Sequence, residues 1–309
     1  MCKGLVLWPE LSHGDPFAIE YVAHNAWDAE TLSVSEQVDR YCRDRYPAAL
    51  IADMQEIWRE FMPIVQLSAW SIDPSSYYQT ANDIFPNIFR NAKFDPEKLG
   101  LYREKCADAA RLRDAAVCVL RRLAKIPVDD AMTRRDLYDI ARTVIGRYLN
   151  ALISLVQERY LTKQPYETIE RPMQEAEALL ETLSDLLGSH DDFSLLASLE
   201  HLRSVTETNP HFECVLKDNA SNHYCRSYIY ENVEYLYRPE MRLLFDEVKS
   251  SLREDRPLDK ERVTPEATAI RDRYFEIPLA DMKKDAVPYS DAVRRAADQI
   301  AACAVKEER

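Results

Sequence analysis

A chain of 309 residues with a hydrophobic fraction of 46% can bury a sizeable core in one large or two modest domains. A formal net charge of −13 without clustered Lys and Arg opposes nucleic-acid and anionic-lipid partners. Only 5 glycines argue against the turn-rich β-sandwich, and there is neither an apolar run of about 18 residues nor a signal peptide behind Met1.

Residues Gly4 to Trp8 have the pattern of a buried β-strand that ends in the carboxylate of Glu10, whereas almost everything after them has helical periodicity. A lone strand cannot satisfy its backbone or bury both faces, so this one is expected to pair with strands outside the chain. In a (β/α)8 barrel catalytic groups stand at the C-terminal ends of strands, which is the position of Glu10. The fold class expected is all-α: a multi-helix C-terminal domain over 28–309, preceded over 1–27 by the last strand and helix of an incomplete catalytic barrel.

The first helix is expected over 14–27, with Asp15 as N-cap, Pro16 in its first turn, and an apolar side of Phe17, Ile19, Val22, Ala23 and Trp27. Trp8 and Trp27 are expected in the core. A second helix over Ser33 to Tyr46 opens with capping-box spacing between Ser33 and Glu36, and a third over about 49–61 stops near Pro63. From Pro63 to Pro96 no long amphipathic period appears, and part of that stretch is expected as an irregular loop. Helices follow at about 97–125, 133–163, 170–188 and 191–207. In the second of these Leu137, Ile140, Ala141, Val144, Ile145, Tyr148, Leu152, Leu155 and Val156 trace an i, i+3, i+4, i+7 stripe. A helix from about Ser221 is expected to break at Pro239, and helices at about 239–253, 263–275 and 289–305 close the chain.

Seven cysteines, at 2, 42, 106, 118, 214, 225 and 303, include no CxxC pair and no grouping with histidine, so they are expected as reduced thiols packed like small hydrophobes. No metal and no cofactor are expected. His13 follows Glu10 closely enough to line a pocket there, whereas His24, His190, His201 and His211 have no companion ligand or nucleophile and are expected at the surface or at caps. Asn219-Ala-Ser221 is a glycosylation sequon, relevant only in a secretory compartment.

Several strings resemble family 89 glycoside hydrolases, the α-N-acetylglucosaminidases. These are Trp8-Pro9-Glu10, Asp15-Pro16, Glu20 and Trp27, then Tyr41-Cys-Arg-Asp-Arg45-Tyr46, which is similar to the family's Tyr-Ala-Arg-Arg-Arg-Tyr-Gly-like string. Downstream, Arg135-Asp-Leu-Tyr-Asp139-Ile-Ala-Arg142 resembles its Tyr-Asp-Leu-x-Asp-Leu-Thr-Arg helix, and Phe193 to Arg203 its Phe-Leu-Leu-Gly-x-Trp-Leu-Glu-x-Ala-Arg helix. Tyr224 and Pro239 stand at the spacing of Asp-Tyr-Ala-Asn and Tyr-x-Pro-Arg strings. The resemblance spans residues 4 to about 250.

It implies that Glu10 is the nucleophile of a retaining glycosidase that hydrolyses terminal α-linked N-acetylglucosamine, with Tyr224 and His223 at substrate-binding positions; His13, by its place just after Glu10, is expected beside the same carbohydrate substrate. Such chemistry requires two carboxylates about 5–5.5 Å apart, and the general acid of the family lies on an earlier barrel strand. The chain alone is therefore expected to be inactive, its partner being the missing catalytic barrel from the same gene or an adjacent chain. A secreted or lysosome-like location is implied if an N-terminal part precedes it. Val215 stands where the family has the Trp of a Trp-Gly-Pro-Glu loop, His223 where it has Asp, and Leu196 and Ser198 where it has Gly and Trp. Those departures keep open two rivals, a free-standing non-catalytic helical binding or scaffold domain and a barrel hydrolase for a different glycoside.

Overall fold

The computed structural model describes residues 16–27, 31–65, 67, 94–207, 209–221, 228–282 and 287–305, and among these the ordered elements are all helical, with no strand. The expected strand at Gly4 to Trp8 lies outside the described residues. Helix α1 spans Pro16–Trp27, α2 Val34–Arg45 and α3 Ile51–Val65. A short 3-10 turn at Pro96–Lys98 leads into α4, Leu99–Leu123, followed by α5, Ala131–Leu161, and α6, Tyr166–Leu187. Next come α7, Leu195–Val205, and α8, Phe212–Ser221. A segment at Tyr230–Asn232 passes through a π-turn at Val233–Tyr237 into α9, Arg238–Glu254. Helices α10, Lys260–Glu276, and α11, Tyr289–Ala302, complete the array.

The axis of the fold is α5, whose 31 residues extend about 46 Å at 1.5 Å per residue. Every member of the stripe from Leu137 to Val156 is buried. The stripe is matched because α4 and α6 pack along α5, α11 lies against both α4 and α6, and α3 covers α4 and part of α5. One connected apolar core runs from Phe17 to Val305. Gly146 admits a close approach on one side of α5, since a Cβ there would stand 2.9 Å from Cε2 of Tyr228.

Local chemistry starts these helices as the sequence requires. Ser33 and Glu36 form the expected capping box, Asp130 accepts from the backbone N–H groups of Met132 and Thr133, and Ser194 accepts from Ala197. Buried side chains from distant elements secure other ends. Glu231 accepts from the N–H groups of Leu195 and Leu196 at 2.8 and 3.0 Å, so a carboxylate faces the positive end of α7. Lys217 donates to the carbonyls of Phe275 and Ile277 at the end of α10, where a cation is favoured.

Proline behaves differently from expectation at two places. Helix α3 does not stop at Pro63 but continues to Val65, because Ile64 is fully buried and the carbonyl of Val65 accepts from Nε of Arg147 at 3.2 Å. The lost proline hydrogen bond is outweighed by that packing in a single last turn. Pro239 does not divide two helices either: the chain is helical on both sides of it, and the N–H of Arg238 reaches back to the carbonyl of Val233 in a widened turn. That turn lies where the proline ring would otherwise crowd the carbonyl four residues earlier. Ser221 ends α8 rather than beginning a helix, and α8 itself was not among the expected elements. Trp27 is a correction of another kind: it is 68% exposed, at the end of a helix that buries only Phe17.

Leu152 is 1% exposed in the middle of α5. Leu152→Ala is expected to lower unfolding free energy by about 2–5 kcal/mol through the cavity it leaves, and Leu152→Met by less than about 1.5 kcal/mol, measured by urea denaturation.

Candidate functional site

Near its N-terminal end α5 carries Asp136, 4% exposed in the side of the helix that meets α2 and α3. A carboxylate there must be neutralised. Arg45, from the last turn of α2, grips it with two donors, Nε to Oδ2 and Nη2 to Oδ1 at 2.8 Å. The Tyr46 hydroxyl donates to Oδ2 at 2.8 Å and in turn accepts from Nε1 of Trp58 at 2.9 Å. The guanidinium of Arg45 also stands 5.3 Å from the ring centre of Tyr41. Burial pushes the Tyr46 hydroxyl far above the usual phenol range, with the Asp136 charge adding to it, so this hydroxyl is a fixed donor. Cys42 lies fully buried in the same layer, its thiol pushed up to about 12 by burial and therefore unreactive.

Thus the string Tyr41 to Tyr46 and the string Arg135 to Arg142, about 90 residues apart in sequence, are direct partners in space. The third string joins them. Arg142 places its guanidinium 4.8 Å from the ring centre of Phe193, pairs with Asp139, and donates to the carbonyl of Tyr228 at 3.3 Å. Tyr138 packs at 4.6 Å, centre to centre, against His190, which caps the turn at Asp191–Phe193 by accepting from the N–H of Asp192.

Beside this junction is a cavity of about 170 Å³ between α1, α3 and α5. Phe17, Trp58, Phe61, Met62 and Ile140 make its apolar wall, and Asp136, Asp139, Arg142, Thr143 and Arg147 its polar wall. Burial lowers the pKa of Arg147, with Arg142 adding to the effect. Sequence reasoning did not single out Arg147. The signal available was a charged residue on the shoulder of an otherwise apolar stripe, four residues from Thr143.

The residues expected at an active site, Glu10, His13, His223 and Tyr224, all lie outside the described residues. Among their neighbours, Val215 is 51% exposed on α8, and Ser198 is exposed on α7. Of the cysteines, Cys42 and Cys303 are buried, Cys106 and Cys118 half-buried, and Cys214 exposed, so the expectation of packed thiols fails at Cys214. No group of His, Cys, Asp and Glu suited to a metal ion occurs among the described residues. No helix among them is long and apolar enough to cross a membrane. No protein-family model matches the chain, and no curated protein matches it.

Two measurements probe this junction. Arg45→Met is expected to cost about 3–5 kcal/mol in chemical denaturation, since it leaves Asp136 buried without its cation, whereas breaking the surface pair of Arg59 with Asp39 by Asp39→Asn should cost no more than about 1 kcal/mol. His190 titrates below its ordinary value of 6.5, chiefly through burial. The unfolded chain therefore takes up the proton first as pH falls, so the stability from the neutral ring is complete above 6.5 and is lost below it. Denaturation midpoints should fall more steeply between about pH 7 and pH 5 in the wild type than in His190→Asn, which keeps a cap acceptor but does not titrate.

Proposed function

We propose that this chain is the C-terminal part of an α-N-acetylglucosaminidase-like retaining glycoside hydrolase, working on terminal α-linked N-acetylglucosamine together with a catalytic barrel. Glu10 is the nucleophile in this reading, and the general acid comes from the barrel. Tyr224, His223 and His13 line the sugar site, and the helical array buttresses the last barrel helix, α1.

The observation that carries the reading is the polarity of α1. The side of this helix turned to the helical array buries Phe17 against Trp58 and otherwise uses polar groups: Glu20 accepts from Gln37 at 2.9 Å, and Arg40 donates to the ring of His24. The opposite side is apolar, and Ile19, Val22 and Ala26 are exposed on it. A free-standing domain would not need a second apolar stripe on the outer side, while a barrel helix turns just such a stripe toward its sheet.

The exposed Val215, in place of an aromatic wall, favours a different glycoside as the second reading, since it offers little stacking area to a pyranose. A panel of aryl glycosides separates the two.

The purified chain should not turn over an aryl α-N-acetylglucosaminide, having one of the two carboxylates needed. Co-expressed with the barrel of a family 89 hydrolase it should give turnover that Glu10→Ala reduces by several orders of magnitude. The double variant Ile19→Asp with Val22→Asp should abolish that turnover without changing the thermal midpoint of the chain alone. Turnover unaffected by the double variant, or hydrolysis by the chain alone, would overturn the proposal.

A further inference from the structure

We propose that the cavity between α1, α3 and α5 binds a small organic monoanion, a carboxylate on an apolar body, with Arg147 as its anchor. This inference does not rest on the hydrolase reading; the cavity is formed by described residues of this chain alone.

The charges of the polar wall are matched in pairs, with one remainder. Asp136 is taken by Arg45 and Asp139 by Arg142. Arg147 forms no ion pair among the described residues; its Nε is given to the carbonyl of Val65, and its two terminal nitrogens have no hydrogen bond among them. Arg147 is half-buried and lines the cavity, so its guanidinium, which keeps its charge at any ordinary pH, is open to an anion there. The downward direction of its pKa is that of a desolvated cation lacking an anion. The remainder is also unexpected for a chain of net charge −13, in which acidic side chains are abundant enough to pair it.

The ligand class follows from the walls. A planar fork of donors suits a carboxylate, and the Thr143 hydroxyl, on the same face of α5, is placed to add a donor. One unmatched positive charge beside two fixed carboxylates suits a monoanion and disfavours a phosphate dianion. Phe17, Trp58 and Phe61 line the same cavity with aromatic surface, and about 170 Å³ is close to the space that admits a benzene-sized ring.

The test titrates the full chain with benzoate, with its neutral isostere benzamide and with inorganic phosphate, followed by calorimetry and by thermal midpoint. Benzoate should bind saturably and raise the midpoint, and both other compounds should bind at least about tenfold more weakly, the scale of one charge-assisted hydrogen bond pair. Arg147→Met, which preserves the apolar stem, should fold with a midpoint close to that of the wild type and weaken benzoate by about tenfold or more. Arg147→Lys should retain part of the affinity. Equal benzoate binding by wild type and Arg147→Met, phosphate or benzamide binding as tightly as benzoate, or no saturable binding below about 10 mM would overturn the proposal. Failure of Arg147→Met to fold would overturn it too, because the cation would then be structural.

Discussion

The need to neutralise one buried carboxylate governs how α2, α3 and α5 meet. Asp136 is placed inside the array by the periodicity of α5, and its charge can be held there only by a donor set of fixed geometry. Arg45 supplies two donors in the plane of the carboxylate, Tyr46 a third, and Trp58 orients Tyr46. Those groups come from the end of α2, the residue after it, and the middle of α3, so the tight connection between α2 and α3 is specified by chemistry on α5. Apolar packing alone would tolerate sliding of these helices; a bidentate pair in low dielectric does not.

The same device recurs elsewhere in the array. Glu231 closes the start of α7, Lys217 closes the end of α10, and the Asn232 amide donates to Ala220 while accepting from Tyr274. Each is a buried polar group that answers backbone dipoles or hydroxyls of another element. The helices are consequently anchored at their ends by directional bonds and along their lengths by apolar stripes. Tight proline positions fit into this scheme because neighbouring contacts, rather than local propensity, hold the turns at Pro63 and Pro239.

Two features stand out from this self-consistent body because nothing among the described residues answers them. One is the apolar outer stripe of α1, which a separate helical domain would not be expected to present to water. The other is the charge of Arg147, which the acidic partners around it leave unmatched. The first is the kind of feature that a larger assembly explains, and the second the kind that a ligand explains. Their chemistry is independent, since one is apolar area on a helix surface and the other a half-buried cation lining a cavity.

Helix content, most helix starts and the buried stripe of α5 were legible in the sequence, because caps and the 3.6-residue period act over a few residues. The hydrolase reading is an expectation from the sequence alone, and its site residues, Glu10, His13, His223 and Tyr224, lie outside the described residues. Tertiary structure decided what short-range rules cannot. Trp27 has the composition of a core residue but is 68% exposed; α3 passes Pro63 because Ile64 and Arg147 reward the extra turn. Asp136 and Arg147 look alike in sequence, as charges along one amphipathic helix. Only the packing of distant helices gives Asp136 a cation and leaves Arg147 without an anion among the described residues, since a charge is matched or unmatched by what lies across space, at distances that the order of residues does not encode.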